Sequence, residues 1–431
     1  MKMFINNKKK LILILFIFSV LFADEKNQIK IVSNNTNSKF LNRNNFYNNT
    51  YLQLSLNYEK SGNVFTLYPS ISNSSLSIDQ FIFSKKIKKT DFKIGKFNLD
   101  CKYSHELSSG HLINSGYSLP YFKLMFERDF KLPFNSYITY QQSEGIFEKN
   151  SLYIEAPYVH QKSLYFNKIF NTSLLSTGLS HVVTWAGTTE RHGKLPRSLD
   201  DYHNIFTGQK GSETAPKADQ GNSLGDGWGI WDFNYIYKNN IDTTLGFYYQ
   251  HIFNDRSGLE FKNGKDGLWG GFIEKEVFGK KYVVLVEYLD TTDQSGNYHP
   301  PGGDSYYWNG MYSHGWKYNE RIIGNPFIDV FSNRIKLTHF ASSIDLNNSS
   351  KIIFTKSQSR VFKSYNNKDY TQIIKDSNGF LYSFGADSEI ERYNEENISF
   401  FKKINEQYSI NVSISNVNNQ IGSYFSINFI F

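Results

Sequence analysis

Cysteine is almost missing from this chain: Cys101 stands alone. Neither an internal disulfide nor a multi-thiolate metal site can be built from it. Proline is also scarce, at 9 residues in 431. Beyond residue 22 there is no long apolar run, and the mean hydropathy is −0.48, so helices that cross a bilayer are excluded. A barrel is not excluded, because strands that alternate lipid-facing and lumen-facing residues average to near-neutral hydropathy.

The excess of basic charge is largely confined to the start. Residues 1–23, MKMFINNKKKLILILFIFSVLFA, place Lys2, Lys8, Lys9 and Lys10 before an apolar run of about a dozen residues and then Ala23. That order is the signature of a secretory signal peptide cleaved after Ala23, and the run is short of the roughly twenty residues that a spanning helix needs. Its removal takes four lysines and no acids, leaving +3 of the formal +7. A nucleic-acid partner therefore loses its electrostatic support.

What the chain has in abundance is aromatic: 37 Phe and 30 Tyr. In the last residues, GSYFSINFIF, Phe425, Ile427, Phe429 and Phe431 fall on one face and Tyr424, Ser426, Asn428 and Ile430 on the other. The preceding stretch repeats this period of two, with Tyr408, Ile410, Val412 and Ile414 against Ser409, Asn411, Ser413 and Ser415. Between them, NVNNQIG supplies turn chemistry. Further strands are expected at 52–58, 92–99, 119–127, 174–185, 230–237, 245–253, 272–278 and 282–289.

Their connections differ in length. KNN at 238–240 and GKK at 279–281 are tight, whereas 186–229 and 290–325 are long. Outer-membrane barrels show this asymmetry, with short periplasmic turns and long exterior loops. The expected fold is all-β: a transmembrane antiparallel β-barrel of about 18 strands over residues 50–431, preceded by a flexible Asn- and Lys-rich segment at 24–49. Strand parity asks for a periplasmic connection at 392–407, with room for a short helix. A soluble sandwich or propeller would also alternate, but lacks the terminal aromatic strand and the loop asymmetry. In a barrel, many of the rings belong to the interfacial girdles.

The connection after residue 289 contains YYWNGMYSHGWKYNERIIGNPF, residues 306–327. Tyr312, Trp316 and Tyr318, spaced by glycines, suit flat rings on which sugars stack, and Trp308 joins them. Asp304 and Arg321 would orient hydroxyls or a sugar carboxylate through charge-assisted hydrogen bonds. The competing structural use of the same rings is to pack the loop into the barrel mouth. In the other long loop, Ser198-Leu199-Asp200-Asp201 approximates a capping box, and Leu199, Tyr202, Ile205 and Phe206 mark one face of a short helix. Arg191, Lys194 and Arg197 nearby would meet an acidic polysaccharide, or serve as solvated loop charges.

Catalytic and metal motifs are thin. Gly221-Asn222-Ser223-Leu224-Gly225 fits G-x-S-x-G, which requires strand, sharp turn and helix, but here the motif runs directly into a strand pattern. Asp290, Asp293 and Ser295 lack EF-hand spacing and read as turn formers. His181, His299 and His314 show no metalloprotease spacing. No cofactor and no metal are expected.

GGDSYYWNGMYSHGWKYNERIIGNPF at 302–327, with EYLDTTDQSG at 287–296, DGLWGGFIE at 266–274 and GNSLGDGWGIWDFNY at 221–235, resembles the capsule assembly Wzi family. The likeness is best over 178–327, and the block at 188–219 departs from it. The resemblance implies an outer-membrane barrel of about eighteen strands with a helical and loop elaboration. It also implies a non-catalytic lectin role, attaching exported capsular polysaccharide or exopolysaccharide to the cell surface. Outer-membrane lipid would be the other partner, and a monomer is expected. A substrate-selective porin is the alternative, since a barrel of this size can leave an aqueous lumen.

Overall fold

The computed structural model describes residues 27–43, 49–72, 75–99, 105–213, 215–216, 219–220, 223–239, 242–294, 305–362, 373–375, 381–383 and 389–430. Within them an 18-stranded antiparallel sheet closes on itself. Its strands are β1 Gln28–Asn35, β2 Tyr51–Lys60, β3 Asn63–Ser72, β4 Ser75–Ile87, β5 Thr90–Lys96, β6 Phe122–Leu132, β7 Ser136–Ile146, β8 Tyr158–Ile169 and β9 Ser173–Trp185. They continue as β10 Asp226–Lys238, β11 Thr243–Phe253, β12 Gly267–Val277, β13 Lys280–Asp290, β14 Arg334–Asn347, β15 Ser350–Phe362, β16 Glu389–Lys403, β17 Tyr408–Val417 and β18 Gln420–Ile430. Each pairs with its sequence neighbour, and β1 closes the cylinder on β18 with Gln28 opposite Ile430 and Asn35 opposite Ser423.

The closing strand corrects the expectation of a flexible segment at 24–49. Composition misleads there because a barrel's inner face is polar, so Asn34 can face inward and bond Asn42 at 2.8 Å, while Val32 is fully buried. Both backbone edges of β1 are then satisfied, one by β2 and one by β18. The barrel therefore begins near residue 28 and not at 50. A second correction concerns 392–407: most of it belongs to β16, and only 404–407 forms the connection. Glutamate and lysine on this strand do not make it helical, because Glu395, Asn397 and Ser399 alternate inward against Asn394, Ile398 and Phe400.

Period two sets the wall. On β17, Ile414 is 60% exposed on the outer face, whereas Ser415 beside it is fully buried. On β10 to β13 the registered outward residues Phe233, Tyr249, Trp269 and Tyr288 form a row across four strands. Tyr249 and Trp269 stack at 3.6 Å between centroids. Such a belt of rings suits the boundary between hydrocarbon and headgroups.

Both ends of the described barrel lie at the rim where connections are short, for example 278–279 and 348–349. The opposite rim carries the long connections 97–121, 186–225 and 291–333. Replacing Val32 with proline removes a ladder N–H from the closing strand and leaves a buried acceptor unpaired, a cost of about 1–3 kcal/mol. The expected result is loss of the compact, heat-modifiable species on a semi-native gel, while an exposed-turn control such as Gly279→Asn remains folded.

Candidate functional site at the long-loop mouth

Two of the long connections fold inward and interlock inside the mouth. The Trp316 indole N–H donates to the Ile113 carbonyl at 2.8 Å, and the Tyr307 hydroxyl donates to the Leu112 carbonyl. Ser115 N–H donates to the Ile323 carbonyl at 2.9 Å, and the Asn325 amide to the Gly110 carbonyl at 2.8 Å. Wall side chains complete the packing. Trp228 lies 5.0 Å from Tyr307 and 5.6 Å from Trp316, with Phe147 at 5.8 Å from Trp316, between ring centroids.

Carboxylates hold the backbones of these inward loops. Glu287 of β13 accepts the Ser109 N–H at 2.6 Å, the Ser108 hydroxyl at 2.5 Å and the Tyr248 hydroxyl. Glu395 of β16 accepts the N–H groups of Lys39 at 2.8 Å and Phe40 at 3.2 Å. Asp266, just before β12, accepts from Asp293 N–H at 2.9 Å, Gln294 N–H at 2.7 Å and the Tyr306 hydroxyl at 2.5 Å. Burial pushes the Asp266 carboxyl up to about 7, while its donors pull the other way. Burial also holds the Tyr307 and Tyr312 phenols far above their ordinary value and lowers His314. The phenols are therefore neutral donors.

The expected ring platform does not lie on the surface. Tyr312 and Trp316 are 2% and 1% exposed. Tyr312 packs on Tyr153 and Leu195, and Tyr318 is buried against Tyr121 and Phe147. Trp308 is partly buried on the same cluster, with its indole nitrogen buried and without a hydrogen-bond partner among the described residues. The packing use of these rings is thus the one realised, because a loop entering a cylinder must fill it. Arg321 is half-buried over Tyr117 at 5.1 Å and donates to the carbonyls of Asn42 and Tyr117, each at 3.4 Å. Asp304, with His299 and Ser295, lies outside the described residues.

In the other long loop the capping box forms as expected: Ser198 caps α1, Leu199–Thr207, and Asp201 reaches back to the cap. Ile205 is buried and Tyr202 bonds Glu144 of β7 at 2.7 Å. Leu199, placed on one face with Tyr202, Ile205 and Phe206 from sequence, is 88% exposed, although Asp201 in the same turn is buried. Arg191 is exposed, and Arg197 pairs with Glu155 at 2.9 Å in solvent. Ser223 is followed directly by β10, so the strand–turn–helix geometry of a nucleophile elbow is not formed. Asp290 accepts from Thr292 N–H at 2.9 Å and the Thr292 hydroxyl at 2.6 Å, which is turn formation.

The family model described as capsule assembly protein Wzi matches residues 34–329. The chain belongs to the Wzi family. No curated protein sequence matches this Wzi-family chain. Among solved structures it is similar to Escherichia coli Wzi, an outer-membrane protein involved in group 1 capsule assembly and described as a carbohydrate-binding β-barrel. The TM-score is 0.64 at 14% identity, covering 98% of this chain and 87% of that one. Pseudomonas aeruginosa OccK3 (OpdO) matches more loosely, at TM-score 0.47 and 8% identity over 95% and 96% of the two chains. At 14% identity the likeness to E. coli Wzi establishes the fold, a closed antiparallel barrel.

The residues that hold this Wzi-family mouth together were mostly not singled out from sequence. A usable signal exists for Glu287: it is a carboxylate within YVVLVEYL on the parity of Val283, Leu285 and Leu289, all buried. Nothing local marks Asp266, whose partners are 27 to 40 residues away.

Two substitutions test the interlock. Tyr306→Phe removes the donor to Asp266 and the acceptor for Asn263, at a cost of about 1–3 kcal/mol. Proteolysis within 291–333 is expected to quicken while the barrel band persists. Trp316→Ala removes a buried ring and orphans the Ile113 carbonyl, at a cost of about 3–5 kcal/mol. Ion conductance of the purified variant in a planar bilayer is expected to rise above that of the wild type; unchanged conductance counts against the interlock as the seal.

Proposed function

We propose that this chain is a non-catalytic outer-membrane barrel that binds exported capsular polysaccharide or exopolysaccharide and attaches it to the cell surface. The observation that carries the proposal is a Wzi-family barrel whose long-loop mouth is packed with its own rings. A substrate-selective porin needs a continuous aqueous lumen. Among the described residues, Trp228, Tyr307, Trp316 and the 105–121 segment occupy that space at the mouth. With its interior committed to packing, the barrel has its outer loop surface left for a large polymer.

On that surface the segment at 188–219 is the best candidate for contact. Arg191 and Lys194 are exposed, and Arg197 is held by Glu155 in a solvated pair that a polymer carboxylate can replace at little cost. Helix α1 fixes the position of this ridge through Tyr202 on Glu144. Orientation follows from loop length: the rim with long loops faces the medium, and the N-terminal signal peptide supplies export.

The test is the double variant Arg191→Glu/Arg197→Glu in the native host. Cell-bound polysaccharide is expected to fall severalfold, with a matching rise in shed polymer, at an unchanged surface level of the protein. Equal retention would remove the ridge from the site. Sustained large single-channel conductance of the wild-type protein would instead favour the porin.

A further inference from the structure

The outer wall of the barrel is not apolar all the way round. On β13 the outward residues Tyr282, Val284, Val286 and Tyr288 are each 38–56% exposed. At about 6.6 Å per alternate residue they make an apolar strip roughly 20 Å long on the strand. On β16 the continuous outward apolar run is Ile398 and Phe400, a strip of roughly 7 Å, with Ile390 standing apart at the far end of the strand. The next outward positions are Glu396, Asn394 and Arg392. A barrel's lipid-facing band is about 25 Å tall, so polar groups on this side stand at a depth where tails or the first headgroup atoms would touch them.

These groups line a concavity of about 470 Å³ on the outer face. Register builds it: Gln358 faces Asn394, and Glu396 faces Asn416. The Asn418–Asn419 turn, with both residues at positive φ, closes the upper edge. Asn418 is used structurally, accepting the Asn394 N–H at 2.8 Å. The side-chain amides of Gln358, Asn394 and Asn416 have no hydrogen-bond partner among the described residues.

The local charges nearly cancel, three cations standing against two carboxylates. Arg360 and Arg392 both bond Glu389, and Lys356 pairs with Glu396 at 2.7 Å. With the cations paired, the basin is poorly suited to a bare phosphate. Unpaired amides, each able to donate and accept, match vicinal hydroxyls, and the strip of Ile398, Phe400, Val412 and Ile414 directly below suits acyl chains.

We propose that this basin binds the saccharide headgroup of an outer-leaflet glycolipid, whose acyl chains lie along the strip beneath it. The proposal rests on the outer-membrane placement given above and on no property of the mouth. It makes the barrel wall a second carbohydrate site, facing sideways into the leaflet.

The experiment uses the folded full chain in vesicles of phosphatidylethanolamine and phosphatidylglycerol, with or without a lipopolysaccharide truncated to its inner core sugars. Native mass spectrometry then reads which lipid survives detergent extraction. The wild type is expected to retain the lipopolysaccharide in preference to phosphatidylglycerol. Gln358→Leu/Asn394→Leu/Asn416→Leu, which places apolar groups on a lipid-facing wall and so preserves folding, is expected to retain about tenfold less. Binding of soluble polysaccharide is expected to be equal in the two proteins.

Equal lipopolysaccharide retention by the variant, or no preference in the wild type, would overturn the proposal. So would a wild-type dimer that the leucines convert to monomer, since the basin would then be a protein interface. Retention is read without any exported polymer, so failure of the attachment function leaves this result standing, while failure of the chain to enter vesicles as a barrel removes both.

Discussion

The backbone of a loop that turns into a closed cylinder must find hydrogen-bond partners away from bulk water. Here backbone carbonyls and neutral side chains meet much of that requirement, and carboxylates meet it at three points where loop N–H groups arrive. Glu287 takes the 105–121 segment, Glu395 the turn after β1, and Asp266 the beginning of the 291–333 connection. An ionised carboxylate accepts a stronger bond than its neutral counterpart, and at Asp266 burial works against that ionisation while the donors favour it. All three are buried, so each acceptor is committed to that role. The aromatic cluster adds apolar area around that accommodated backbone. Packing and polar satisfaction are therefore coupled: Tyr306 and Tyr307 contribute a ring to the cluster and a hydroxyl to the network at once.

Much of the wall was legible in the sequence because a two-residue period is local. The final hairpin, the tight connections near 239 and 279, and the long ones after 185 and 290 follow from alternation and turn chemistry alone. The failures have a common cause. Gln28–Asn35 and Glu389–Lys403 are strands whose inward faces are polar, so composition concealed what register makes obligatory. At the mouth, sequence drew attention to 306–327 but could not decide which way its rings point. That choice is set by contacts to residues 112 and 113, about 200 positions away in the chain. The short helix was found because its cap is encoded within four residues.

The wall and the mouth divide the labour of the fold. Outward positions answer to the bilayer and tolerate any residue of suitable polarity at their depth. Inward positions answer to one another and are correspondingly particular, as at Gly246 and Gly270, where an added Cβ would enter the rings of Phe272 and Tyr248. The segment at 188–219 is subject to neither constraint over most of its length.

The seam between β1 and β18 has a consequence for how the molecule is made. The first described strand has no complete set of partners until the last one is present, so no part of the cylinder is a finished unit during synthesis. Contacts this distant are slow to form, and an unfinished sheet exposes two adhesive edges. A chain built this way has to be kept from its neighbours until its final residues arrive, and any polypeptide that stops short of β18 keeps an adhesive edge it cannot cover.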